Sequence, residues 1–263
     1  MDIIFSLLFL VFGAIVGSFL NVVILRLNTG RGIGGRSGCM SCGKVLGAFE
    51  LVPVASFLLQ GGKCTKCKSK LSWQYPIVEA LSAIVFFLLG HMFFPSVLDV
   101  HASAVVIFAL YAIIFSLLIV IAAYDFRHTV IPDRLVFAFI ILSFLTTSIA
   151  YGPAFSYMYI FYAVLLAVPF ALLWYVSKGK WMGLGDAKLA LGIGFLLGGS
   201  AGLLALMFGF WAGAIVAVML MLFKKKGVSM KTEIPFAPFL ILGTLLVFFL
   251  KLDIASFMML FIG

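Results

Sequence analysis

Charge is what this sequence has least of. Only 10% of its 263 residues are charged, nine of them acidic, while 65% are hydrophobic and mean hydropathy is +1.27. Soluble domains are about half apolar and a quarter charged. So little charge excludes a water-soluble surface and leaves the membrane as the class that fits. A basic n-region is also missing before the first apolar run, so residues 1–26 are expected to be a retained first span rather than a cleaved signal. Histidine is scarce, with three residues in all, and no set of them converges with acids into a metal site. No Gly-rich nucleotide-binding fingerprint is present.

A net charge of +9 would suggest nucleic acid in a soluble protein. Here its placement excludes that reading and argues for a bilayer. A helix needs about 20 apolar residues to cross the hydrocarbon. The hydropathy pattern predicts about eight spans, at 3–25, 76–95, 102–123, 131–150, 155–177, 185–199, 201–223 and 236–257. The sixth is short and interrupted by Gly192, Gly194, Gly198 and Gly199. With eight spans, 17 of the 18 basic residues fall on one side, with only Lys251 left over. They are Arg26, Arg31, Arg36, Lys44, Lys63, Lys66, Lys68 and Lys70 after span one; Arg127 and Arg134 after span three; Lys178, Lys180 and Lys188 around the entry to span six; and Lys224, Lys225, Lys226 and Lys231 after span seven. Positive residues mark the cytoplasmic side, so both termini are expected outside. The expected organisation is an all-α polytopic protein. It has a first transmembrane helix at 1–26, a small cytoplasmic module at 27–75, and a bundle at 76–263.

All four cysteines lie in the loop, as Cys39-x2-Cys42 and Cys64-x2-Cys67 with 21 residues between the pairs. Two such knuckles present four thiolates to one tetrahedral ion, the pattern of a structural zinc site. Redox or disulfide pairs are the competing reading. A cytoplasmic loop disfavours stable disulfides, and 49 residues are too few for a thioredoxin-like fold around them. So small a module would take its folding energy from the metal.

Acids inside a membrane are costly and mark function by default. Asp2, Asp99 and Asp253 fall at outer ends, Glu50 in the loop and Glu233 before span eight. Asp125 closes span three, and Asp186 opens span six within Gly183-Leu184-Gly185-Asp186. Alternating spans bring these two acids, 61 positions apart, to one membrane depth on the cytoplasmic side. Carboxylates brought together share a proton. One then acts as base on a water while the other donates to a carbonyl oxygen. Asp125 and Asp186 are therefore the candidate catalytic pair. Gly183 and Gly185 would let a substrate strand approach, or act as a hinge. The competing reading of Asp186 is a helix N-cap. Asp133, after Pro132, is read as an N-terminal helix acid offsetting the dipole. Glu79 is read as a helix cap or a partner of a loop lysine. Asn21 and Ser18 are expected to face the bundle. An ion-coupled transporter using membrane carboxylates is the alternative class, but neither repeated halves nor midplane acids are evident.

The motifs in their order resemble the bacterial type IV prepilin peptidases. They are Gly17-Ser-Phe-Leu-Asn-Val-Val-Ile-Leu-Arg26, the two cysteine pairs followed by Leu71-Ser-Trp-Gln-Tyr-Pro-Ile-Val-Glu79, Asp125 with Val130-Ile-Pro-Asp133, Gly183-Leu-Gly-Asp186-Ala-Lys188, and Ile234-Pro-Phe-Ala-Pro-Phe239. Met40 in the first knuckle and Ala237 depart from the family's common residues. The resemblance implies an inner-membrane enzyme with Asp125 and Asp186 as catalytic acids. It would cut basic leaders from prepilins or pseudopilins, then methylate the new N-terminus with S-adenosylmethionine. Methyl-donor residues are not identified by any motif here.

Overall fold

The computed structural model describes residues 3–94, 101–222 and 235–262. Among the described residues the regular elements are helical, apart from two isolated antiparallel bridges. The chain divides into two compact units, Met1–Ala123 and Tyr124–Gly263.

In the first unit, α1 (Ile3–Arg26) leads into the cysteine loop, which contains a short 3-10 turn (Ala48–Leu51) and the one-turn helix α2 (Ala55–Leu59). The chain re-enters an apolar helix as α3 (Gln74–Phe93) and, later, α4 (Ala102–His128), whose residues from Tyr124 onward belong to the second unit. Helices α1 and α3 approach until their backbones nearly touch, because Gly13 and Gly17 stand one turn apart on α1. A Cβ at Gly13 would lie 2.7 Å from the Ser82 carbonyl, and one at Gly17 would lie 2.7 Å from the Glu79 Cα. Small residues at this spacing are how helices pack closely where no hydrophobic effect drives them together. Asn21 is buried there, as expected, and donates from Nδ2 to the Tyr75 carbonyl at 3.1 Å. At the other end Phe9 stacks on Phe94 at 5.5 Å, and Phe108 packs against both.

In the second unit follow α5 (Asp133–Tyr151), α6 (Pro153–Ser177), α7 (Leu184–Leu197), α8 (Gly199–Leu222), α9 (Ala237–Leu250) and α10 (Ile254–Ile262). The centre of this unit is α7, packed against α5, α6, α8 and α9. Its residues Asp186, Ala187, Leu189, Ala190, Gly192, Ile193, Gly194 and Leu196 are all buried.

Helices occupy each of the eight expected places, and six of them are long and apolar enough to cross a bilayer. The other two, α7 and α9, have 14 residues each. At 1.5 Å per residue that is about 21 Å, against a hydrocarbon core of about 30 Å. Helix α7 stops because Gly198 takes φ +78°, and α8 starts one residue later. The last expected span, 236–257, is broken where Lys251 caps α9 in the left-handed region. The described residues are thus those of a helical, multi-pass protein with six helices of full spanning length, two fewer than the hydropathy pattern predicts. The residues Asp2, Asp99, Lys224, Lys225, Lys226, Lys231, Glu233 and Ile234 lie outside the described residues.

Candidate functional site

Two sites stand out, one in each unit. In the first unit the four cysteines converge. Their sulfurs all lie within 4.8 Å of one another, and none is in a disulfide. The knuckles repeat one backbone pattern. The Cys39 amide donates to the Lys44 carbonyl and the Gly43 amide returns to the Cys39 carbonyl, both at 2.9 Å. The Cys64 amide likewise donates to Ser69 at 2.9 Å and the Lys68 amide to Cys64 at 3.0 Å. The turn needs a left-handed residue, supplied by Gly43 at φ +69° and by Lys68 at φ +58°.

A tetrahedral ion with bonds of about 2.3 Å sets its sulfurs about 3.8 Å apart. The Cys39 and Cys67 sulfurs are 3.8 Å apart. The amides of Cys42 and Ser41 favour the Cys39 thiolate and hold that thiol down at about 6. At Cys42 the Lys44 amide acts in the same direction, but burial and the neighbouring thiols outweigh it and push the group up to about 11. Four thiolates this close repel, and a bound cation is what lets all four ionise together. The residues therefore fit a four-thiolate metal ion.

Glu50 ties the two knuckles together. It accepts from Lys44 Nζ at 2.8 Å, from the Thr65 hydroxyl, and from the Gly47 amide at 2.9 Å. The Lys44 ammonium first, then Thr65 and Gly47, hold its carboxyl down to about 2. Glu79 neither caps α3 nor meets a lysine: it accepts the Val54 amide at 2.7 Å, fastening the loop to α3.

In the second unit Asp125 and Asp186 are both buried, at 4% and 8% exposure, and close enough for their charges to interact. Asp125 sits in the last turn of α4, where the helix dipole disfavours an acid. The amide of Ala237 at the start of α9 offsets this, donating to Asp125 Oδ2 at 3.1 Å. Asp186 lies in the first turn of α7, where an acid is favoured. Its carboxylate faces the backbone amide of Gly183, the N-cap residue. Each acid thus stands at a helix N-terminus, Asp125 at that of α9 and Asp186 at that of α7.

The two glycines before Asp186 differ. A Cβ at Gly185 would lie 2.9 Å from Ile131 Cβ, whereas one at Gly183 would meet nothing nearer than Asp186 Oδ2 at 3.8 Å. Asp133 stands apart from the pair. It is the acid in the first turn of α5, its side chain is 64% exposed, and it pairs with Lys188 Nζ at 2.6 Å. His128 packs its ring on Tyr124 at 4.5 Å. The Ala237 contact with Asp125 leaves no mark in the sequence beyond the Ile234–Phe239 motif, because its donor is a backbone amide.

Comparison with known proteins decides the family. Residues 11–93 match the Bacterial Peptidase A24 N-terminal domain, and residues 112–218 match the Type IV leader peptidase family. The chain is 33% identical over 258 residues to a protein of Bacillus subtilis (strain 168), covering 96% of each. The chain belongs to the type IV leader peptidase family. The Bacillus subtilis relative is named prepilin leader peptidase/N-methyltransferase. So are relatives in Vibrio cholerae, 28% identical over 95% of this chain and 98% of that one, and in Pseudomonas aeruginosa, 26% identical over 90% and 87%. No solved structure matches. As a leader peptidase the chain is an enzyme. The N-terminal match begins within α1 and covers the cysteine loop and α3; the peptidase match spans both aspartates and ends before α9.

Proposed function

We propose that this enzyme removes the basic leader from type IV prepilins or pseudopilins at the cytoplasmic face of the inner membrane, with Asp125 and Asp186 as the catalytic pair. The observation that carries this reading is the approach of two buried carboxylates at the N-termini of α7 and α9. One carboxylate takes a proton from a water as its oxygen attacks the scissile carbonyl carbon. The other, protonated, gives its proton to the carbonyl oxygen. As the tetrahedral intermediate collapses, the C–N bond breaks and the departing nitrogen takes a proton from the pair. The space beside Gly183 would hold a Cβ with 3.8 Å of clearance and still leave Asp186 open to substrate backbone. The close contact of Gly185 with Ile131 positions α7 against the segment that follows Asp125.

The basic residues of the cysteine loop and of the Arg127–Arg134 and Lys178–Lys188 segments support a cytoplasmic placement of this edge, with both termini outside. A basic leader stays in the cytoplasm while the apolar pilin segment lies in the bilayer. Cys39, Cys42, Cys64 and Cys67 would hold a zinc ion, structural because four thiolates leave no open position. The relatives' names support a second activity, N-methylation of the new terminus, for which S-adenosylmethionine would supply the methyl group. The test is mass spectrometry of the candidate pilins from cells with and without this protein. Leader loss and the gain of one methyl are expected only with it. Full-length leader in both strains sinks the proposal.

A further inference from the structure

The cysteine loop has an apolar edge that its own fold leaves uncovered. On α2, Leu59 is 89% and Leu58 63% exposed, and Trp73, just before α3, is 67% exposed. Trp73 packs on Phe57 with ring centroids 5.0 Å apart. These two rings, with Leu58 and Leu71, line a cleft of about 380 Å³ that Lys63 and Lys70 complete.

The two lysines are held together by the backbone. Lys63 and Lys70 are directly opposite across an isolated antiparallel bridge. Residues so paired carry Cβ atoms about 4.5–5.5 Å apart on one face, and like charges there destabilise the pairing. Among the described residues neither lysine has an ion-pair partner, and the loop's carboxylate, Glu50, is taken by Lys44, Thr65 and Gly47. Lys66 and Lys68 on the same knuckle are exposed but lie outside the cleft lining. The cleft thus joins a paired cationic wall that lacks its anion to an apolar wall that lacks its cover.

Its position supplies the missing partner. Trp73 immediately precedes α3, a helix long and apolar enough to cross a bilayer, so the cleft lies where the chain enters the membrane. Tryptophan is enriched at that depth, and lysine stems lie along apolar surface while their ammonium groups reach phosphate. We propose that the cleft holds one anionic phospholipid, its phosphate between Lys63 and Lys70 and its acyl chains over Leu58, Leu59 and Trp73. The lipid would hold the metal module flat on the bilayer surface. This does not depend on which residues cut the leader.

The test is native mass spectrometry of the full-length protein in detergent, titrated with phosphatidylglycerol or phosphatidylcholine. One phosphatidylglycerol is expected to be retained in preference to phosphatidylcholine. The double variant Lys63→Gln/Lys70→Gln should lose about thirty-fold of that preference, at about five-fold per lysine near an anionic surface. Lys66→Gln/Lys68→Gln removes the same charge outside the cleft and should keep the preference. Equal retention of both lipids, equal losses in the two double variants, or displacement by glycerol phosphate at the lipid's own concentration would each overturn the proposal. Wild-type protein gives a check free of folding defects. Phosphatidylglycerol with a photoreactive acyl chain should cross-link at Leu58, Leu59 or Trp73. Cross-links confined to the spans would reject the cleft.

Discussion

Replacing Gly185 by alanine should separate the two aspartates without unfolding the protein. The new Cβ would lie 2.9 Å from Ile131 Cβ, 3.1 Å from Cδ1 and 3.3 Å from Cγ1. Carbon atoms rest about 3.5–4.0 Å apart, so the start of α7 and the segment after α4 must part by about 0.6–1 Å. Asp186 follows Gly185 directly, and Ile131 lies six residues beyond Asp125, so this wedge acts between the two acids. Misplacement of about 1 Å costs about 10²-fold in rate. Overpacking of this kind costs about 1–3 kcal/mol, less than the 5–15 kcal/mol that holds most proteins folded. Gly183→Ala is the control. Its backbone at φ −75° suits alanine, and its Cβ would have 3.8 Å of clearance. It should stay within about threefold of wild type, since loss of a glycine N-cap costs under about 1 kcal/mol. The assay is kcat/KM on a purified prepilin in detergent, with thermal unfolding alongside. Ile131→Ala should rescue Gly185→Ala only in part, because it removes the outer contacts and leaves the 2.9 Å one. Equal activity of the two glycine variants would refute the reasoning.

Asp133→Asn should keep cleavage within about threefold of wild type, since Asp133 is exposed and paired with Lys188, and kcat/KM checks this directly. Cys64→Ser should lower bound zinc from one ion per chain to none and expose the loop to protease, read by elemental analysis and limited proteolysis; unchanged zinc content would contradict the four-thiolate assignment. Glu50 is held down to about 2 from an ordinary 4.5, so its stabilisation is fully present above 4.5 and is lost as pH falls from there toward 2. The Tm gap between wild type and Glu50→Gln should be constant near neutrality and close over that window.

The parts of this structure that were legible in the sequence are those set by local rules. Two C-x2-C knuckles are short backbone turns, so their spacing alone announces a shared ion, and the sulfurs do converge. Asp125 and Asp186 each adjoin an apolar run, which marks them as acids drawn out of water, and the two are buried and close enough to interact. Helix ends within apolar sequence were not legible. A hydropathy window reads through Gly198 and Lys251 because apolar residues flank both, yet each takes a left-handed backbone that ends a helix after 14 residues. Long-range hydrogen bonds were hidden too. The hold of the Ala237 amide on Asp125 spans 112 positions, and that of Glu79 on the Val54 amide spans 25. Both use a backbone donor, which has no signature in residue type.

The aspartate pair is tested most directly by single-turnover cleavage with Asp125→Asn, Asp186→Asn and the double variant, each purified from the membrane and matched for Tm. Each single change should slow cleavage by about 10²–10⁴-fold, and the double variant should be no slower than the worse single, because the two groups act as a unit. Wild-type cleavage by either folded variant would contradict a two-carboxylate mechanism at this site.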